Sequence, residues 1–113
     1  MIHAHFTRIA DTDEFLSVKI KGHSGFDDFG YDIVCASVSS LVIATVNALE
    51  EYVGLDTQYE VESGFTTFNI VPIDEYTKIQ AQAIANTLYM AITGMSEEYD
   101  DFIRVTIQEE KND

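Results

Sequence analysis

Apolar residues recur along the chain with two different periods, and the shorter period predicts strands. Alternation at every second position is typical of a strand with one buried face. In the first two such segments the apolar faces consist of Ile2, Ala4 and Phe6, and of Leu16, Val18 and Ile20. Gly64 joins the next two segments in a tight turn, and Pro72 ends them. The pattern predicts strands at residues 2–9, 15–21, 57–63, 65–71 and 102–108.

Spacing of three and four residues predicts two helices. The first covers residues 33–53 and ends at Gly54, and Asp32 is its expected N-cap because its carboxylate can accept from unpaired amides of the first turn. The second covers residues 74–95, and Gly94 is expected to fray its last turn.

The resulting order of elements is ββαββαβ. Helices that return to one face of a mostly antiparallel sheet form a two-layer α+β sandwich. The chain has 113 residues, of which 46% are hydrophobic, enough for one core. We therefore expect a single domain over residues 1–113.

The charge balance restricts the partners. Six Lys and Arg residues oppose twenty Asp and Glu residues, for a formal net charge of −14. The electrostatic field of such a charge repels nucleic acid and attracts a basic protein. The acidic residues can equally serve only to keep the protein soluble. We find no run of eighteen apolar residues and no secretory signal, so no membrane is predicted. A single cysteine excludes an intramolecular disulfide and suits a cytoplasmic location.

That single cysteine, Cys35, falls in the first turn of the first predicted helix. Unpaired amides and the positive end of the helix dipole favour a thiolate there and can also stabilise an oxyanion. His23 ends the second strand, and the loop of residues 24–31 is long enough to fold back. Its imidazole could then accept the thiol proton.

Each of these residues also has a purely structural interpretation. Cys35 can be an inert core residue, and His23 a residue that merely ends a strand. Asp32 is favoured as a helix cap over a group that orients His23. Ser39, one turn after Cys35, faces the site or packs against a neighbouring helix. The loop glycines, which are Gly22, Gly25 and Gly30, serve a substrate gate or only backbone turns.

The remaining candidates are weaker. Asp27 and Asp28 could gate the site or bind a basic substrate, but solvated loop charges are the default. His3 and His5 share a strand face, yet two ligands without a third do not make a metal site. We predict no metal and no cofactor.

The combination of motifs resembles a known family. Gly22-His23, then Gly30, then "DIVCA" from Asp32 to Ala36 with Ser39 beyond, is similar to the signature of the ribosomal-processing cysteine proteases, Prp. The resemblance extends over essentially the whole chain. One departure is Ser24, where relatives often have alanine.

The resemblance implies an activity and a partner. Members are homodimeric α+β proteases that remove a short N-terminal extension from a large-subunit ribosomal protein, after paired aromatic residues and before a small one. When the catalytic roles of the family motif are carried over to this sequence, Cys35 is the nucleophile and His23 is its general base and acid. Asp32 and Ser39 remain supporting candidates, because the family motif does not define a third catalytic residue.

Two other classes of function remain open. In a non-enzymatic ribosome-assembly module, Cys35 would be buried and His23 structural. In a thiol redox sensor, Cys35 would require an intermolecular bridge or a small-thiol cap, because the chain has no resolving cysteine.

Overall fold

A computed structural model describes residues 1–28 and 32–111 of the chain. Its elements follow the order ββαββαβ, which confirms the predicted α+β class. They are β1 (Ile2–Ile9), β2 (Phe15–Lys21), α1 (Ile33–Asn47), a π-helical segment (Ala48–Val53), β3 (Glu60–Glu62), β4 (Phe65–Asn69), α2 (Glu75–Glu98) and β5 (Ile103–Glu110).

The five strands form one sheet in the order β3-β4-β2-β1-β5. Only β1 and β5 pair in parallel, and the other neighbours are antiparallel. Ile2, Ala4 and Phe6 of β1 are buried as predicted, and α1 and α2 bury Val38 and Leu88 in the same core. The opposite face carries exposed polar residues, so the helices cover one side of the sheet.

A register shift in the β1–β2 pair changes which residue of β2 enters the core. Thr7 pairs with Ser17, but Arg8 pairs with Phe15, so the strand is bulged at Leu16. Phe15 is therefore buried and Leu16 only half-buried. The prediction that Leu16 shares the core face of Val18 is wrong, because a bulge interrupts strict alternation.

Other predicted boundaries also shift. The two strands that meet at Gly64 are shorter than expected, whereas α2 continues past Gly94 to Glu98. The predicted fraying at Gly94 is therefore wrong. Gly54, at φ 88°, does end the first helix and its π-helical extension.

The helical stretch Ile33–Val53 has a mean hydropathy of 1.7 and would suit a membrane span by length and composition. A core helix of a globular domain meets the same criterion. Val34, Val42 and Val46 of this stretch are buried in the core of the domain.

Candidate active site

Cys35 occupies the first turn of α1. Asp32 caps this helix as predicted, and its Oδ1 accepts a hydrogen bond from the Cys35 backbone N–H at 2.9 Å. The Cys35 side chain is half-buried and lines a cleft of about 630 Å³ between α1, the end of β2 and the β3–β4 hairpin. The thiol is therefore accessible from this cleft.

His23 lines the same cleft from the end of β2, and it is exposed. The Gly22 N–H donates to the Gly64 carbonyl at 2.8 Å, which places the β3–β4 turn beside the imidazole. A Cβ atom on Gly64 would lie 2.9 Å from His23 Nε2. Among the described residues no hydrogen bond joins His23 to Cys35, so the cleft brings the two groups to one site without a direct contact of that kind.

Ser24, the residue after His23, links the start of the loop to the N-cap residue of α1. Its hydroxyl donates to Asp32 Oδ2 and accepts from the Phe26 N–H at 3.2 Å. The side chain is buried, whereas its neighbours His23 and Gly25 are exposed. The hydroxyl at this departure from the family pattern thus ties the start of the loop to the helix that carries Cys35.

The same contacts keep the Asp32 carboxyl ionised. Burial acts to raise its pKa, but hydrogen bonds from the Ser24 hydroxyl and from the backbone of Cys35, Phe26 and Asp27 outweigh burial and hold the pKa below its usual value. Asp32 bonds to these groups rather than to His23, so its observed role is that of a helix cap.

Two of the first-turn amides expected to hold an oxyanion are already engaged. The Cys35 N–H donates to the Asp32 side chain, and the Ala36 N–H donates to the Asp32 carbonyl at 3.0 Å. The N-cap residue therefore already engages the backbone amides of Cys35 and Ala36.

The other predicted residues are distributed around the cleft. Ser39 lines it one turn beyond Cys35, and Gly25, at φ 72°, and Asp27 line it from the loop. Asp28 is exposed, outside the lining. Gly30 and the rest of residues 29–31 lie outside the described part of the chain.

The described part of the loop is held at its middle by an aromatic contact. The Phe26 ring packs edge-on against Tyr99, at a centroid distance of 5.9 Å, and against Phe102, at 5.2 Å. Both partners belong to the connection between α2 and β5. The loop therefore has two attachments, one through Ser24 and one through Phe26.

The sequence pattern did not indicate that the β3–β4 hairpin forms a wall of this site. Val61, Glu62, Ser63 and Gly64 line the cleft. In the sequence they look like an ordinary hairpin with a glycine turn, and only the pairing of β2 with β4 brings them to His23. No local signal identifies them.

His3 and His5 lie on the outer face, away from the cleft. The ring nitrogens of His5 contact Thr106 at 2.7 Å and Gln108 at 3.3 Å on β5. In the described ranges no group of three His, Cys, Asp or Glu side chains is arranged to hold a metal ion.

Residues 1–104 match the family model described as Cysteine protease Prp. The ribosomal processing cysteine protease Prp of Bacillus subtilis is 28% identical over 109 residues, which cover 94% of this chain and 96% of that protein. The Staphylococcus aureus protein of the same name is 30% identical over 102 residues, which cover 86% of this chain and 91% of that protein.

Solved structures agree with these sequence matches. The structure of Prp from S. aureus with a covalently linked product peptide has a TM-score of 0.85 at 25% identity and covers 96% of this chain and 100% of that chain. The structure of a protein from Streptococcus mutans has a TM-score of 0.79 at 29% identity and covers 97% of this chain and 96% of that chain.

Proposed function

This chain belongs to the cysteine protease Prp family, and from that premise we propose that it processes a ribosomal protein with Cys35 as nucleophile and His23 as general base and acid. The observation that carries the proposal is that the single thiol and an exposed imidazole line one cleft at a helix N-terminus. Nucleophilic cysteine catalysis requires this combination of groups.

The reaction is acyl transfer to sulfur and then to water. His23 accepts the Cys35 thiol proton, and the thiolate sulfur attacks the scissile carbonyl carbon. Backbone amides at the N-terminus of α1 are the proposed donors to the developing oxyanion. His23 then donates its proton to the leaving nitrogen as the C–N bond breaks. Water, deprotonated by His23, attacks the thioester, which releases the carboxylate and returns the proton to sulfur.

The proposed substrate is a large-subunit ribosomal protein with a short N-terminal extension. Two relatives carry the name ribosomal processing cysteine protease, and a similar structure, that of Prp from S. aureus, contains a covalently linked product peptide. The net charge of −14 favours a basic protein partner and disfavours direct contact with nucleic acid.

We also propose a cytoplasmic homodimer. The outer surface of α2 carries three large, exposed apolar side chains at helical spacing, Tyr76, Ile79 and Met90. Apolar side chains exposed on one face of a helix are candidates for contacts in an assembly, and here exposed Asn86 and Thr87 separate Ile79 from Met90. Sedimentation of the wild-type chain and of Met90→Glu measures whether these side chains mediate self-association.

The decisive test is incubation with the organism's own extended ribosomal protein, followed by intact-mass measurement. Cys35→Ala and Cys35→Ser are expected to abolish cleavage while they leave the fold intact. His23→Ala is expected to slow cleavage by at least about a hundredfold, as for loss of a positioned general base.

His3→Ala is the matched control, because His3 is exposed and lies outside the cleft. It should cleave at the wild-type rate. Wild-type turnover by Cys35→Ala would exclude Cys35 as the nucleophile. A lack of cleavage by the wild-type chain would favour the assembly module. Reversible capping of Cys35 by small thiols without cleavage would favour the redox sensor.

A further inference from the structure

His23 lies between two anchors of the backbone. On one side, the Gly22 N–H donates to the Gly64 carbonyl in the β3–β4 turn at 2.8 Å. On the other side, the Ser24 hydroxyl donates to Oδ2 of Asp32, the N-cap residue of α1. Within the described part of the chain, no hydrogen bond to the imidazole itself is observed. The position of the ring therefore depends on the residues that flank it.

The second anchor connects His23 to the helix that carries the thiol. Asp32 accepts from the Ser24 hydroxyl with Oδ2 and from the Cys35 N–H with Oδ1, the latter at 2.9 Å. One carboxylate thus bonds both to the residue after His23 and to the backbone of Cys35. The bridge fixes the end of β2 relative to the first turn of α1.

The bridge is buried in a segment whose backbone can otherwise rotate. Ser24 is 3% exposed, whereas His23 and Gly25 on either side of it are exposed. Gly22, at φ 92°, and Gly25, at φ 72°, occupy backbone conformations that other residues resist. A hydrogen bond to a carboxylate is stronger than one between neutral groups, and a buried hydroxyl is costly to leave unpaired. In this arrangement the bond of Ser24 opposes rotation of the short segment that carries the imidazole.

We propose that Ser24 is a positioning residue for catalysis, because its bond to Asp32 holds the His23 imidazole in the cleft of Cys35. The proposal rests on the proposed function, which assigns the roles of base and nucleophile to these two residues. The family pattern often has alanine at this position, so we expect the hydroxyl to tune the reaction rather than to be indispensable. A small displacement of a catalytic group lowers a rate steeply, and we expect loss of the hydroxyl to slow cleavage about tenfold.

Alkylation of Cys35 by iodoacetamide, measured from about pH 5 to about pH 9, tests the proposal without a substrate. Ser24→Ala is expected to raise the pH midpoint of alkylation, because a displaced imidazolium stabilises the thiolate less. The other titratable side chains that line the cleft within the described ranges are the carboxylates of Asp27, Asp32 and Glu62, and carboxylates titrate at lower pH. The Ser24 bond helps to lower the pKa of Asp32, and its loss returns that pKa only toward the usual value, so Asp32 stays ionised in this range.

A double-mutant cycle shows whether Ser24 acts through His23. With the imidazole present, Ser24→Ala should lower kcat for the ribosomal protein about tenfold and change KM little, because the base acts in the chemical step. In the His23→Ala background, Ser24→Ala should change neither kcat nor the midpoint of alkylation further, since no imidazole is left to position.

Thr57→Ala is the matched control. Thr57 is buried, and its hydroxyl donates to Glu50 Oε2 at 2.6 Å, so the variant loses a bond of the same kind outside the cleft. Both variants should lose similar stability in chemical denaturation, and only Ser24→Ala should change kcat and the midpoint.

Equal kinetics of Ser24→Ala and Thr57→Ala would overturn the proposal. An equal effect of Ser24→Ala with and without His23 would also overturn it. Cleavage of the ribosomal protein by the wild type would persist in both cases, so failure of the positioning role is distinguishable from failure of the proposed function.

Discussion

At the scale of single residues, Gly64 supports the site because it lacks a side chain. Its φ is 73°, and a Cβ atom there would lie 2.9 Å from His23 Nε2. Gly54 has a similar φ of 88°, but a Cβ atom on it would have no neighbour within 4 Å. The two glycines share the same backbone requirement and differ only in their contact with His23.

We therefore expect Gly64→Ala and Gly54→Ala to destabilise the protein by similar amounts, about 1–2 kcal/mol, from the left-handed backbone alone. Only Gly64→Ala should also lower kcat/KM, by about tenfold or more, because it displaces the imidazole. Chemical denaturation and cleavage assays on both variants measure the two effects separately. Equal activity of the two variants would show that the turn does not position His23.

At the scale of elements, the loop after β2 combines attachment with flexible positions. Ser24 is bonded to Asp32, and Phe26 packs on Tyr99 and Phe102. Gly22 and Gly25 have positive φ and can absorb backbone rotations that other residues resist. We propose that residues 24–28 move as a gate about these glycines and are ordered further by substrate.

Hydrogen exchange measures this directly in the Cys35→Ala protein, with and without a peptide that ends in paired aromatic residues, the cleavage sequence that the family resemblance implies. We expect the amides of residues 24–28 to exchange rapidly in the unliganded protein and to become protected when the peptide binds. Phe26→Ala should accelerate their exchange further, while the amides of β1 stay unchanged. Strong protection before any peptide is added would instead indicate a rigid turn that presents a preformed site.

At the scale of the whole molecule, we expect charge to steer the encounter with a basic substrate. The chain carries a net charge of −14, and Asp27, Asp32 and Glu62 line the cleft itself. A basic ribosomal protein is attracted over distances longer than any single contact. A short neutral peptide experiences little of this attraction.

We expect kcat/KM for the ribosomal protein to fall several-fold when salt rises from about 0.05 M to about 0.5 M, because the ions screen this attraction. For a neutral peptide with the same cleavage sequence, kcat/KM should change little over the same range. Parallel titrations with the two substrates separate steering from any effect of salt on the catalytic groups. Identical salt dependences would show that charge plays no part in recognition.

The amino-acid sequence by itself determined the class of fold and the position of the thiol. Periodicity and capping depend on neighbours a few residues apart, so the order of elements, the N-cap at Asp32 and the stop at Gly54 could all be predicted. The motif placed Cys35 and His23 on adjoining elements. The bulge at Leu16 escaped prediction because it depends on the register of a partner strand.

Only the tertiary structure decided what surrounds those two residues. Pairing of β2 with β4 brings Gly64 to His23. Pairing of β3 with β4 places Val61 of β3 in the lining of the cleft. The bond from Ser24 to Asp32 likewise depends on how the loop folds back onto α1. The contacts of the hairpin join residues distant in sequence, and all of these contacts depend on strand pairing and on the path of the loop, which no local pattern encodes.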